Sequence, residues 1–321
     1  MAYRIGGAES TREEIPRCAR EQLESAIHQL TERVSADPVE AVHDARKSLK
    51  KERSLLRMAR GSIPASQRRR ENAALRDAAR RLSIVRDADV MIEALEKIAD
   101  RYVGQFPSSS VEAIRGRLEH DREVARLELM ASGAPEAAAE DLKAALARVD
   151  AWRLKAGGWT AIGPGLERGY RDGGKEFAVA RKKPTAENLH AWRKRAKDLW
   201  YDLRLLEEIA PHTVHAQAKD AHLLTDLLGD DHDLAVLRDS VQALAKDVPV
   251  DIAAVLVAID HRRQQLQEEA MFLGARVYAE KPNAFTRRMR KYWKAARAQA
   301  KVAGAHAPAE LAEATRTAVV Q

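Results

Sequence analysis

Two short sets of basic residues occupy matching positions in the two halves of the chain, and their side chains are suited to binding an anion. Each member of the first set recurs 147 residues later. The ten residues are His43, Arg46, Lys47, Lys50, Arg57, His190, Arg193, Lys194, Lys197 and Arg204. Arg offers a planar fork of donors for phosphate oxygens, Lys a compact charge, and His a cationic donor once a nearby polyanion has raised its affinity for protons.

The first set lies on one side of a helix when about 100° is allowed for each residue. Apolar residues such as Leu49, Leu55 and Leu56 lie on the opposite side. Solvated helix faces usually interleave charges of both signs, whereas this face is basic only. A row of cations about 20 Å long fits a linear chain of phosphates better than one small anion. Glu52 projects towards the apolar side, which the sequence does not explain.

Ten further basic residues share helix faces in other segments and form a secondary set. Taken one at a time, they would be ordinary solvent-exposed charges, but together they could line a basic channel or groove between two helical bundles. They are Arg53, Arg76, Arg80, Arg122, Arg126, Arg168, Arg171, Arg287, Lys291 and Lys294.

The composition favours an all-α fold. Of the 321 residues, 45% are hydrophobic and only 5% aromatic, glycine and proline are sparse, and apolar residues recur at helical spacing almost throughout. The single cysteine, Cys18, excludes a disulfide scaffold and a Cys-based zinc site and fits a reducing compartment. Neither a secretory signal nor an apolar run long enough to span a bilayer is visible, so we expect a soluble cytoplasmic protein.

Breaker residues and the repeat predict two bundles joined by a connector. The expected divisions are an N-terminal bundle (8–154), a connector (155–182), a C-terminal bundle (183–300) and a flexible tail (301–321). The first bundle includes one long helix over about 66–101. The connector holds seven of the sixteen glycines, and we interpret it as a flexible linkage with a short helix starting near Pro164. Four prolines punctuate four later helices: Pro184, Pro211, Pro249 and Pro282.

Two stretches, Val42–Lys51 and Leu189–Lys197, resemble the histidine motifs of the CHAD family, the conserved-histidine α-helical domain. Arg86–Val90 resembles the acidic helix motif of that family, and the resemblance covers roughly 8–300. It implies two four-helix subdomains related by a pseudo-two-fold axis around a basic central cavity. It also implies binding of inorganic polyphosphate by the ten matched residues, and association with polyphosphate granules.

The chain also departs from the family pattern. Many relatives carry a triphosphatase domain marked by Glu-x-Glu-x-Lys, which is absent here, so we expect no enzymatic activity, no catalytic residue, no metal and no cofactor. The second acidic motif, His232–Ala235, lacks the second Asp. Trp200 replaces Arg53 in the second set, so the two sets need not bind equally.

Two alternatives remain open. The same basic surface suits a nucleic acid or an acidic protein, although Trp192 and Trp200 are expected to face the core, which weakens binding of single strands. The dipeptides His43-Asp44 and His232-Asp233 allow a metal-dependent phosphohydrolase of the HD type. Cations near His43 would repel a divalent ion, which disfavours that alternative. The sequence predicts neither oligomeric state nor chain-length preference.

Overall fold

The described part of the chain is built almost entirely from helices. A computed structural model describes residues 3–6, 10–82, 86–244 and 252–318, without the side chains of 86–88 and 303–318, and these ranges contain no strand, as predicted. Within them, no helix has both the length and the apolar character needed to cross a bilayer. The helices are α1 (Thr11–His28), α2 (Pro38–Met58), α3 (Ala65–Arg81), α4 (Arg86–Arg101), α5 (Ser108–Ala131), α6 (Ala134–Val149), α7 (Trp159–Lys182), α8 (Ala186–Leu205), α9 (Pro211–Leu244), α10 (Ala253–Val277) and α11 (Pro282–Ala318).

Several helix boundaries differ from those expected. The single helix predicted over about 66–101 is two helices, since α3 ends at Arg81 and α4 begins at Arg86. No glycine or proline marks this boundary, and residues 83–85 lie outside the described ranges. The four helices expected after Pro184 are present as α8 to α11, although Pro249 itself is not described. Helix α11 continues to Ala318, through most of the segment expected to be a flexible tail.

Two apolar cores stabilise the fold, and they do not follow the chain division expected at 155–182. The first core combines α1, α2, α3 and α6 with parts of α7, α8, α9 and α11. The second combines α4, part of α5 and α10 with the remaining parts of α7, α8 and α9. Elements of both chain halves therefore contribute to each core, while the internal duplication remains a prediction.

The glycine-rich segment forms tight packing, and the interpretation as a flexible linkage was wrong. Helix α7 begins before Pro164 and runs for 24 residues. A Cβ on Gly165 would lie 2.1 Å from the carbonyl oxygen of Met58, and one on Gly173 would lie 2.5 Å from the hydroxyl of Tyr278. These positions are glycine because neighbouring elements approach the α7 backbone, a constraint that composition alone cannot distinguish from flexibility.

Helices α2 and α8 meet through a buried polar contact. The Ser54 hydroxyl donates to Asp202 Oδ1 at 2.9 Å, and the Arg57 guanidinium forms an ion pair with Asp198. Asp202 is 3% exposed, and burial together with the nearby charge of Asp198 raises its pKa to about 8. The Asp202 carboxyl is therefore mostly neutral at pH 7, which lowers the cost of enclosing it between two helices.

The position of Glu52 is explained by the first core. Its side chain is 1% exposed, and Oε2 has no hydrogen-bond partner among the described residues. Burial, with a smaller contribution from Glu71, raises the pKa of Glu52 to about 8. Burial therefore keeps the Glu52 carboxyl mostly neutral at pH 7, which lowers the cost of its position on the apolar side of α2.

The packing role of α7 predicts opposite effects of alanine at two of its glycines. Gly165→Ala should destabilise the protein by roughly 1–3 kcal/mol, because its Cβ would overlap the backbone at Met58. Gly174→Ala is the control, since its Cβ would come no closer than 3.8 Å to Tyr278 and it should stabilise by about 0.5–1 kcal/mol through helix propensity. Urea unfolding measures both, and equal effects would contradict tight packing at Gly165.

The buried carboxyl of Glu52 predicts a pH-dependent effect of Glu52→Gln. Because the folded-state pKa is raised, the wild type loses stability as pH rises from the unfolded value towards about 8. The variant should therefore gain stability relative to the wild type, on the order of 1 kcal/mol at pH 5 and 2–4 kcal/mol at pH 8. Chemical unfolding at several pH values measures this, with the exposed Glu24→Gln as control. A pH-independent difference would show that Glu52 is not protonated in the fold.

Candidate anion-binding pocket

A pocket of about 310 Å³ lies between α2, α4, α8 and α9 and brings basic residues of both sets together. We call it the basic pocket. Val90, Met91 and Val236 form its apolar wall. Its other lining residues are five cations, two imidazoles and one carboxylate: Arg46, Lys50, Arg193, Lys194, Lys197, His190, His232 and Asp233.

The two helices that carry the cations are positioned by their caps and their buried faces. The Asp37 side chain accepts from the Glu40 backbone N–H at 3.1 Å at the start of α2, and Thr185 accepts from the Asn188 backbone N–H at 3.3 Å at the start of α8. Leu49 on α2 and other apolar residues on the same face are buried in the core. The basic faces are therefore left outside the core, and α9 and α4 complete the pocket.

Two of the pocket arginines are held by neighbouring helices. The Arg46 guanidinium donates to the Ala79 carbonyl of α3 at 2.6 Å. The Arg193 guanidinium lies against Gly229 of α9, where a Cβ would come within 3.4 Å of Nη2. These contacts restrict the side-chain rotamers, so less conformational entropy is lost when an anion binds.

The basic pocket lowers the pKa of His190, one of the two histidines that line it. The rings of His190 and His232 lie 4.4 Å apart, and His190 Nδ1 has no hydrogen-bond partner among the described residues. Burial, followed by the charges of Lys194 and Arg193, lowers the pKa of His190 below its ordinary value. His190 is therefore mostly neutral at pH 7 in the free protein, and an anion nearby would favour its protonation.

His43 does not line the basic pocket. It lines an adjoining pocket of about 740 Å³, which shares Val90 and Asp233 with the basic pocket. The charged residues of that pocket are mainly carboxylates from α2, α4 and α9, with three cations: Glu40, Asp89, Glu93, Asp100, Asp230, Asp233, Lys97, Arg101 and Arg262. Matching positions in the two sets thus have different electrostatic surroundings.

Three other members of the two sets also lie outside the basic pocket. Lys47 is exposed and pairs with Asp44 at 3.6 Å. Arg57 is engaged with Asp198 in the contact between α2 and α8. The Arg204 guanidinium lies over the Trp200 ring, 5.7 Å from its centroid, at the edge of a separate pocket.

Trp200 was expected to face the core, and its half-buried side chain does pack against the first core. It also lines a pocket, which was not expected, whereas Trp192 is fully buried. Lys197, which precedes Trp200 in the sequence, has its Nζ 5.8 Å from the centroid of the Trp200 ring, and Arg204 follows Trp200. The ring contacts two cations of the second set because they stand three residues before it and four residues after it on α8.

The cations of α2 extend beyond the basic pocket. Arg53 donates to the Asn72 side chain at 3.0 Å, and burial and the charge of Arg57 lower its pKa. Arg60 continues the same spacing, and burial followed by the charges of Arg168, Arg68 and Arg171 lowers its pKa too. Arg60 was not predicted from the sequence, although it lies three residues after Arg57 and so continues the spacing of the α2 cations.

Most of the secondary set is already paired or lies elsewhere. Arg76 and Arg80 both pair with Asp77, at 3.2 and 2.6 Å. Other ion pairs join Arg122 to Asp89, Arg168 to Asp172 and Arg171 to Glu167. Four members line neither the basic pocket nor its neighbour: Arg126, Arg287, Lys291 and Lys294.

The pocket also bears on the hydrolase alternative. Among the described residues, no group of three or more His, Cys, Asp or Glu side chains is placed to hold a metal ion. His43-Asp44 and His232-Asp233 are therefore not assembled with further ligands in that part of the chain. Neither His232 nor the apolar wall was predicted from the sequence to belong to the site, because α9 and α4 meet α8 only in the folded chain.

Comparison with known proteins is consistent with this architecture. The solved structure of PptA from Streptomyces chartreusis is similar, with a TM-score of 0.56 over 85% of this chain and 100% of that chain. The identity is 13%, so this likeness concerns the fold alone. No curated protein matches the chain. A family model described as the CHAD domain matches residues 17–242, more than half of the chain, and the protein therefore belongs to the CHAD domain family.

Proposed function

We propose that the protein binds inorganic polyphosphate without hydrolysing it, through the basic pocket and the adjoining cations of α2 and α8. Membership of the CHAD family supports a polyphosphate-related role. The observation that carries the proposal is the basic pocket, where five cations from two helices face one carboxylate. An association with polyphosphate granules follows from the same ligand.

The length of the cationic row favours a polymer over a single phosphate. One side of α2 carries four cations at spacings of four and three residues, namely Arg46, Lys50, Arg53 and Arg57, and Arg60 follows in the 3₁₀ turn after the helix ends. At about 1.5 Å per residue the part of the row on α2 is about 17 Å long. Burial and then the charge of Arg57, its neighbour in the row, lower the pKa of Arg53, and a bound polyanion would relieve that repulsion.

The residues of the basic pocket support binding more than catalysis. Its lining residues carry no hydroxyl or thiol, so the only side chains that could act as nucleophiles are its lysines, two histidines and Asp233. Its only carboxylate, Asp233, is shared with the adjoining pocket. The cations can neutralise phosphate oxygens, but they do not supply a metal or an activated water.

A nucleic acid is the alternative ligand. No Trp, Tyr or Phe lines the basic pocket, so the stacking platforms that support binding of single strands are missing from its lining. Trp200 lies in a neighbouring pocket and is contacted by Lys197, Arg204 and His222. These contacts favour a ligand that is recognised by charge alone.

Neutralising three lysines of the basic pocket should weaken polyphosphate binding. The variant Lys50→Gln/Lys194→Gln/Lys197→Gln keeps most of each side-chain length and removes three charges, so affinity should fall by about tenfold or more. Fluorescence anisotropy with labelled long-chain polyphosphate measures this, and the wild-type affinity should fall steeply with added salt.

The control variant removes the same charge elsewhere. Arg69, Lys182 and Lys183 are exposed and line none of the pockets discussed, so their replacement by Gln should change affinity much less. If both variants lost the same amount of affinity, binding would depend on net charge alone, which would contradict a built site. DNA of equal charge that displaces polyphosphate from the wild type would favour the nucleic-acid alternative, and release of phosphate with added divalent ions would favour a hydrolase.

His190 should make binding pH-dependent. The pKa of His190 is lowered in the free protein and should rise beside a polyanion, so the imidazole should gain a proton when the polyanion binds. Binding should therefore tighten as pH falls through the interval between these two pKa values. Calorimetry in buffers of different ionisation enthalpy measures the proton uptake between pH 5.5 and 8. His190→Gln should flatten the pH dependence, and an unchanged slope in that variant would exclude His190 as its source.

A further inference from the structure

A second basic groove lies between the start of α1 and the segment that follows α6. It encloses about 900 Å³ and shares no lining residue with the basic pocket. Its apolar lining is Pro16, Val149, Trp152 and Leu154. Its charged lining has five cations and two carboxylates: Arg12, Arg17, Arg20, Arg153, Lys155, Glu13 and Asp150.

The walls of this groove are fixed by hydrogen bonds between distant parts of the chain. The Gly158 backbone N–H donates to the Thr11 hydroxyl at the first residue of α1. The Lys155 backbone N–H donates to the Ser62 carbonyl at 3.0 Å, and the Ser62 hydroxyl donates to the Ala156 carbonyl at 2.6 Å. The segment after α6 is thereby held across the start of α1, so the cations of both elements face one groove.

The carboxylates of the groove are already engaged. Glu13 accepts from the backbone N–H and hydroxyl of Ser10, which lowers its pKa. Asp150 pairs with Arg20 at 2.8 Å, and Arg17 pairs with Glu21 at 3.1 Å.

The remaining donors lack partners within the described part of the chain. The exposed side chains of Arg12, Arg153 and Lys155 form no ion pair there. Trp152 lines the groove and is 8% exposed, and its buried indole N–H has no acceptor among the described residues. Three unpaired cations in a groove whose two carboxylates are already engaged indicate a site for an anion with several acceptor oxygens.

We propose that this groove is a second, independent anion-binding site that takes a segment of a phosphate chain. The choice of a phosphate chain rests on the proposed function, whereas the groove itself does not. An acidic peptide fits less well, because protein interfaces use exposed aromatic or large apolar anchors, while Val149 and Trp152 are buried and the half-buried Pro16 and Leu154 expose no aromatic ring. With two sites, one molecule holds two segments of polymer and can bridge them.

Calorimetric titration with tripolyphosphate, which is short enough for each site to be counted separately, tests the inference. The wild type should bind two equivalents. Arg12→Gln/Arg153→Gln/Lys155→Gln should bind one, with the groove weakened by about tenfold or more. The triple lysine variant of the basic pocket should keep the equivalent bound in the groove, and the control variant at Arg69, Lys182 and Lys183 should keep both. Circular dichroism checks that each variant is folded.

The two proposals fail differently in this experiment. A groove variant that retains the wild-type stoichiometry and affinities overturns the second site and leaves the proposed function intact. In the converse outcome, the groove variant loses one equivalent, while the basic-pocket variant keeps the wild-type stoichiometry and affinities. That outcome overturns the proposed function and leaves the groove as a site. If polyglutamate displaces tripolyphosphate from the groove at a lower concentration than long-chain polyphosphate does, the groove is a peptide site and the assignment to phosphate is wrong.

Discussion

The contact between α2 and α8 is the constraint on which the site depends. Ser54, Arg57, Asp198 and Asp202 join the two helices through a hydrogen bond and an ion pair. Because the helices meet here, the basic faces on their solvent sides come close enough to share one pocket. The contact requires a carboxyl group to be enclosed, and the raised pKa of Asp202 shows how the fold reduces that cost, by keeping the group protonated near neutral pH.

The same arrangement places like charges close together in the free protein. Burial and neighbouring cations lower the pKa values of Arg53, Arg60 and His190. Each shift shows that the charged form is less favourable here than in water. Functional sites often retain interactions that do not favour the free fold, because the ligand supplies the missing partner. A polyanion would satisfy these groups together, so part of its binding free energy would come from repulsion that the folded chain already contains.

Local periodicity was enough to predict the all-α fold and the cationic faces of α2 and α8. These features depend on residues three or four apart, which the sequence displays directly. It was not enough to predict that Gly165 is a packing contact, that Glu52 is a neutral core residue, or that α3 and α4 are separate helices. The second basic groove was also missed, because its cations come from segments more than a hundred residues apart. The packing at Gly165, the burial of Glu52 and the groove are set by contacts between distant elements, which no local pattern records.

Matching positions in the two halves do not perform matching roles. His190 faces the basic pocket, whereas His43 faces carboxylates from α4 and α9 in the adjoining pocket. Arg53 donates to Asn72, whereas its counterpart Trp200 lies beside Lys197 and Arg204 through its ring. Helix register is preserved in each case, but the neighbouring helices differ, and they determine whether a side chain meets cations or carboxylates. Matching sequence positions therefore fix the helix face on which a side chain lies, while the helices packed around that face determine what the side chain can bind.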